Sequence, residues 1–206
     1  MKILLTAFEP FGGETVNAAQ EAVRLVRAPA GVELVKLTVP TVFSLAGERA
    51  AEAVRREKPD AVLCVGQAAG RGAVTPERVA VNLRDASIPD NAGNCPRDEA
   101  IEPEGPAAYF STLPVRAMAE AIRAKGIPAE ISNTAGTFVC NDLMYSLLHA
   151  LAREENAGRR GGFIHVPCLP EQAAGRAEGT PSLALGEIVR ALEGALETLA
   201  AEGKTP

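Results

Sequence analysis

The chain has 206 residues, 47% of them apolar and 23% charged, with a formal net charge of -5. That balance belongs to a soluble globular protein, not to a disordered or fibrous one, and the length suits a single domain over residues 1–206. Arg and Lys are scattered without a basic tract, and six Phe, two Tyr and no Trp leave little surface for stacking bases, so nucleic acid is not an expected partner.

At the N-terminus the run Ile3, Leu4, Leu5 is too short for the apolar region of a signal peptide, which points to the cytoplasm. No apolar stretch approaches the roughly 20 residues needed to span a bilayer, so no membrane association is expected. Residues 2–8 (KILLTAF) predict a buried strand ending in the loop EPFGGE. Asn17 then caps the helical pattern AAQEAVRLVR. VELVKLTV, SLAGERAAEAVRREK and DAVLCVG read as strand, helix and strand, bounded by Pro40 and Pro59. ERVAVN, residues 77–82, reads as one extended segment with Glu77, Val79 and Val81 on a shared face.

Residues 84–106 hold four prolines among polar residues and predict a long irregular loop. Order resumes with TLPVRAMAEAIRAKG (helix), IPAEISN (strand), TFVCNDLMYSLLHALAR (helix) and GGFIHVP (strand). A last helix over 182–203 carries Leu185, Ile188, Val189, Leu192, Leu196 and Leu199 on one face. Strands alternating with helices imply an α/β fold, a three-layer α/β/α domain around a mostly parallel twisted sheet.

Cys64, Cys95, Cys140 and Cys168 include no Cys-x-x-Cys pair, so free thiols are expected, with neither a zinc ribbon nor a thioredoxin-type site. Cys140 falls just inside a predicted helix, where unpaired backbone N–H groups and the dipole favour thiolate and can also hold an oxyanion. A buried structural cysteine is the commoner fate of the residue type. Only two histidines exist. His149 is nine residues beyond Cys140 on one helix, and nine steps of about 100° put the two on opposite faces. His165, at the end of a predicted strand, is where α/β enzymes place catalytic groups, although a strand histidine is more often a core residue. Glu77 on an apolar strand face needs a partner, and an imidazole suits.

The run Gly66, Ala69, Val74, Thr75, Glu77, Arg78, Val79, Ala80, Asn82 resembles the glutamate motif of the pyroglutamyl peptidase I (pyrrolidone-carboxylate peptidase) family. Ile131, Ser132, Thr134, Ala135, Gly136, Phe138 to Asn141, Leu143 and Tyr145 resemble its cysteine motif, and FEPFGGE, IPDN and GFIHVP extend the similarity over nearly the full chain. The resemblance implies a cytoplasmic cysteine-type omega-peptidase acting on peptides with an N-terminal pyroglutamate. It implies no metal or cofactor, a Cys140–His165–Glu77 triad and a homotetramer. It also assigns Phe8, Phe11, Asn17, Gln67, Phe138 and Val139 to the pyroglutamyl pocket. Ser87 departs from the pattern, since the family commonly has Arg there, which leaves backbone N–H groups or Arg84 as oxyanion donors.

Two other readings compete. Cys140, His165 and Cys168 as zinc ligands would give a deaminase-like hydrolase, although their spacing does not follow that signature. An α/β binding module holding an anion on the TAGT backbone would leave the Cys, His and Glu without a task.

Overall fold

The computed structural model describes residues 1–202, so the last four residues of the expected domain, including Gly203 of the expected final helix, lie outside the described residues. Strand β1 (Lys2–Phe8) is paired on both sides, and it is buried at every position after Lys2 because its alternating side chains enter the cores on both faces of the sheet. Its parallel neighbours are β2 (Glu33–Val39) and β3 (Ala61–Gln67). Beyond β3 lies a parallel strand, Arg160–Val166. The outermost strand, β4 (Thr75–Glu77), runs antiparallel to it.

Two short strands, β5 (Val79–Val81) and β6 (Ala108–Phe110), form a separate antiparallel pair, so Arg160–Val166 is β7 in chain order. The main sheet is therefore ordered β2-β1-β3-β7-β4. Its direction of growth reverses at β1, and such switch points open a crevice beyond the strands' carboxyl ends.

Helices cover both faces. On one side, α1 (Ala18–Leu25), α3 (Val115–Ala124) and α6 (Leu185–Glu202) pack on Ile3, Leu5, Leu63, Ile164 and Val166. On the other, α2 (Leu45–Glu57) and α4 (Val139–Leu151) cover Leu4, Val62, Cys64 and Phe163. The expected three-layer α/β/α architecture is the one observed. A short α5 (Pro170–Ala174) was not anticipated, nor was β6.

Two local expectations need correction. IPAEISN forms no regular strand, only isolated parallel bridges of Ala129 with Val74 and Ser132 with Glu77. The cause lies in Pro76 between them, which has no N–H to donate to the neighbouring segment. ERVAVN is likewise not one strand. Glu77 ends β4, the Arg78 N–H bonds to the Ser132 carbonyl, and residues 79–81 turn to pair with β6. Val79 and Val81 are half-buried while Ala80 is buried, so the expected shared face with Glu77 does not exist.

Asn141 in the first turn of α4 holds this diverted strand. It is fully buried, accepts from the Val81 N–H at 2.9 Å, and donates to the carbonyls of Val81 (2.9 Å) and Leu83 (3.0 Å). Its carboxamide stands in for a neighbouring strand and ties the helix to β5. Asn141→Ala leaves these backbone groups without partners, and we expect a loss of about 2–3 kcal/mol in urea unfolding. An unchanged midpoint would mean that the strand is held by other contacts.

Candidate active site

Sheet register brings the first two groups together. His165 in β7 lies opposite Thr75 of β4, and Glu77 lies opposite Phe163, which makes Glu77 and His165 diagonal neighbours on one face. Side chains so placed are within reach of each other. Here the His165 Nδ1 and Glu77 Oε1 are 2.7 Å apart, with Glu77 fully buried and His165 only 4% exposed. The Phe163 ring packs on the imidazole at a centroid separation of 4.7 Å.

Arg71, in the turn after β3, is a residue that the sequence reading passed over. Its Nη1 donates to the same Glu77 Oε1 at 2.5 Å and to Thr75 Oγ1 at 2.6 Å, while Nη2 donates to the Thr134 carbonyl at 3.0 Å. No periodicity marks it; the turn at Gly70 (φ +90°) returns it to the sheet edge. The Ser132 hydroxyl lies near this carboxylate but donates to the Thr134 carbonyl, leaving Glu77 Oε2 without a hydrogen-bond partner.

Cys140 enters from above the same face. It occupies the second position of α4, whose N-terminus at Phe138 has no side-chain cap, so its first N–H groups are free of side-chain partners. Gly66 is in register with His165, and a Cβ built on Gly66 would stand 3.0 Å from the Cys140 sulfur. The absence of a side chain at Gly66 makes room for the thiol beside the β7 histidine. His149 sits apart, with its Nδ1 3.0 Å from the Tyr109 hydroxyl and its ring stacked on Tyr145.

The protonation balance corrects one expectation. Burial first and then the Glu77 charge push the Cys140 thiol up to about 12, with Arg71 only partly opposing them. Burial also lowers the His165 pKa, against the pull of Glu77. Glu77 itself is disfavoured as an anion by burial, yet the His165 hydrogen bond and the nearby charges bring it below its ordinary value. These directions favour a thiol beside a neutral imidazole and a carboxylate at rest. The uncapped helix end does not by itself make a thiolate.

A cleft of about 270 Å³ opens at the switch point, lined by Phe11, Asn17, Gln67 and Phe138 together with Glu14, Val16, Ala69 and Arg176. Gln67 directly follows Gly66, the position beside the sulfur, and Phe138 stands two residues before Cys140. Phe8 and Val139, expected with the other four, are buried in the core and do not line this cleft. Asn17 caps α1 through Oδ1 (2.9 Å to the Ala19 N–H) and donates to the Glu9 carbonyl. Gln67 Oε1 accepts from the Ala18 N–H at 2.7 Å, leaving its amide N–H groups uncommitted.

The residue family described as pyroglutamyl peptidase matches residues 1–202. The chain belongs to that family. It is 54% identical to the pyrrolidone-carboxylate peptidase of Levilactobacillus brevis over 97% of each chain. Its fold superposes on the crystal structure of pyroglutamyl peptidase I from Bacillus amyloliquefaciens with a TM-score of 0.92 at 50% identity, covering 97% of both chains. A mutant pyrrolidone carboxyl peptidase from Pyrococcus furiosus gives 0.92 at 40% identity, covering 98% of this chain and 99% of that one. Like the rest of its family, this chain is a cysteine-type peptidase.

The competing metal site is not assembled. Cys168 is buried with its thiol on the Pro181 carbonyl, and among the described residues no three His, Cys, Asp or Glu side chains group closely enough to hold a metal ion. Among those residues, too, no helix is long and apolar enough to cross a membrane. Arg84, one of two suggested oxyanion donors, has its Nε on the buried Asp142 at 2.6 Å and lines two clefts beside Ser44 instead. Ser87 is exposed.

Gly66→Ala should keep the fold while costing about 100-fold in turnover, since the new methyl would meet the Phe163 ring at 2.7 Å and the sulfur at 3.0 Å. Circular dichroism with initial rates on the variant checks this, and wild-type turnover would mean that the neighbours yield freely.

Proposed function

We propose that this chain hydrolyses the bond after an N-terminal pyroglutamyl residue, as one catalytic domain over residues 1–206, with Cys140 as nucleophile, His165 as base and Glu77 as its orienting acid. The observation that carries the reading is the buried His165–Glu77 hydrogen bond on the sheet face that Cys140 overhangs, beside a cleft at the switch point.

Because Glu77 engages Nδ1, Nε2 is the free nitrogen of the imidazole. It takes the thiol proton as Sγ attacks the carbonyl carbon, in keeping with a resting thiol and neutral histidine. The oxyanion is held by the uncapped N–H groups of α4, since Arg84 is engaged elsewhere. The C–N bond breaks as the imidazolium returns its proton to the leaving amine. Water, deprotonated by Nε2, then cleaves the thioester, and the proton passes back to the sulfur. Glu77 supports the imidazolium in both steps without itself accepting a proton.

Pyroglutamate is a neutral lactam and needs apolar walls with few polar contacts. Phe11 and Phe138, with ring centroids 5.2 Å apart, supply the walls, and Phe43 braces Phe138 edge-on. The free amide N–H of Gln67 suits the lactam oxygen, Asn17 fixes the start of α1 beneath it, and Phe8 with Val139 backs the pocket. No cofactor enters this mechanism.

Release of a chromophore from its pyroglutamyl derivative, beside the same leaving group on proline and on glutamate, tests the function. Hydrolysis of the first alone is expected, and equal rates on all three would sink the substrate assignment. Cys140→Ala and His165→Ala should lose at least about 1,000-fold and Glu77→Gln roughly 100-fold, with His149→Ala near wild type. An active Cys140→Ala would end the mechanism.

We also propose a cytoplasmic homotetramer, in line with the family resemblance and with the exposed Phe110 and Ile88. Light scattering should then give four chain masses, and a monomer mass would remove the proposal.

A further inference from the structure

Arg71 touches both arms of the candidate machinery. From the turn after β3 it reaches Glu77 Oε1 at 2.5 Å, the oxygen that also faces His165 Nδ1, and it reaches the Thr134 carbonyl at 3.0 Å. Thr134 lies in the segment 132–138 that delivers Cys140 to the N-terminus of α4, and its hydroxyl in turn receives the Gly136 N–H at 3.1 Å. The planar guanidinium can serve two acceptors at fixed directions, which an ammonium cannot.

Resting on the triad reading, we propose that Arg71 is a positioning residue. It fixes the rotation of the Glu77 carboxylate toward His165, offsets its charge, and clamps the loop that presents Cys140.

The geometry explains why such a residue is needed. Glu77 is fully buried, and its two strong contacts, the imidazole and the guanidinium, both meet at Oε1, while Oε2 has beside it only the Ser132 hydroxyl, which donates elsewhere. A carboxylate held only by the histidine would bind the imidazolium too tightly, keeping the base protonated to higher pH. The charged groups acting on His165 are Glu77 from β4 and Arg71 from the turn, while Cys140 from α4 lies over Gly66, the β3 residue in register with it. Helix α1 packs against the opposite face of β7, on Ile164 and Val166. Arg71 is thus the positive charge in that set. Its charge favours both neutral His165 and ionised Cys140.

The experiment is the pH profile of kcat and kcat/KM on the pyroglutamyl chromogenic substrate for wild type, Arg71→Met, Arg71→Lys and Glu77→Gln, with thermal unfolding of each. Arg71→Met should lower kcat by roughly 10- to 100-fold with little change in KM, and should move the acid limb of kcat/KM up by about one pH unit. Arg71→Lys should keep the wild-type acid limb, since the charge is restored, with kcat between the other two because one ammonium cannot hold both Glu77 and Thr134. Should Arg71→Met itself fail to fold, the Lys variant still decides through its limb and kcat.

The proposal is overturned if Arg71→Met keeps wild-type kcat and acid limb, if its loss lies wholly in KM, or if Arg71→Lys shifts the limb as far as Met does. Glu77→Gln separates the two levels. If it is fully active, the triad reading fails. If it is impaired while Arg71→Met is not, only the role of Arg71 fails.

Discussion

A carboxylate with no solvent exposure is costly to keep ionised, and the arrangement around Glu77 follows from that cost. The charge is tolerated because a histidine N–H and a guanidinium both point at one of its oxygens. Each partner comes from a different part of the chain, β7 and the turn after β3, so the carboxylate can be satisfied only when strand register and turn geometry are both correct. The same burial that makes Glu77 costly lowers the basicity of His165 and raises the thiol of Cys140. These shifts favour a neutral thiol and a neutral imidazole at rest, which in the proposed mechanism suits proton transfer coupled to attack better than a standing ion pair.

Helix α4 carries three consecutive residues with separate tasks. Cys140 faces Gly66 of the central strand β3, Asn141 replaces a strand for β5, and Asp142 is buried against Arg84. Burial raises the Asp142 carboxyl despite the charge of Arg84. Its other oxygen accepts the Ser44 N–H at 2.8 Å, where Ser44 sits at φ +61° at the head of α2. The first turn of α4 is thus held from two sides, which limits how far the sulfur can wander.

One carboxylate organises the middle of the long loop 84–106. Asp90 accepts from the N–H groups of Ala92, Asn94 and Phe43 and from the Asn94 side chain, and these bonds bring it below its ordinary pKa although burial opposes them. Fixing the Phe43 backbone fixes its ring, which meets Phe138 edge-on, and Phe138 walls the cleft. An excursion rich in proline therefore acts on the pocket without lining it.

Much of the architecture was legible in the sequence because apolar periodicity and capping are local. The β1 run, the Asn17 cap and the leucine face of α6 each announce their element, and the alternation of strands with helices implies the layered parallel sheet. Cys140, His165 and Glu77 were also legible as candidates, from a helix start, an elimination between two histidines and an acid in an extended apolar segment, although the face that Glu77 was expected to share with Val79 and Val81 does not exist. The tertiary structure decided what depends on distant partners. The loss of a ladder bond at Pro76, the turn of residues 79–81 toward β6 and the capture of Val81 by Asn141 all involve segments far apart in the chain. Arg71 has no periodic or motif signal of its own, since its place beside Glu77 exists only once the turn at Gly70 is closed. The protonation of Cys140 was decided there too: a helix end favours thiolate locally, but burial and the charge of Glu77 are properties of the folded site and outweigh it.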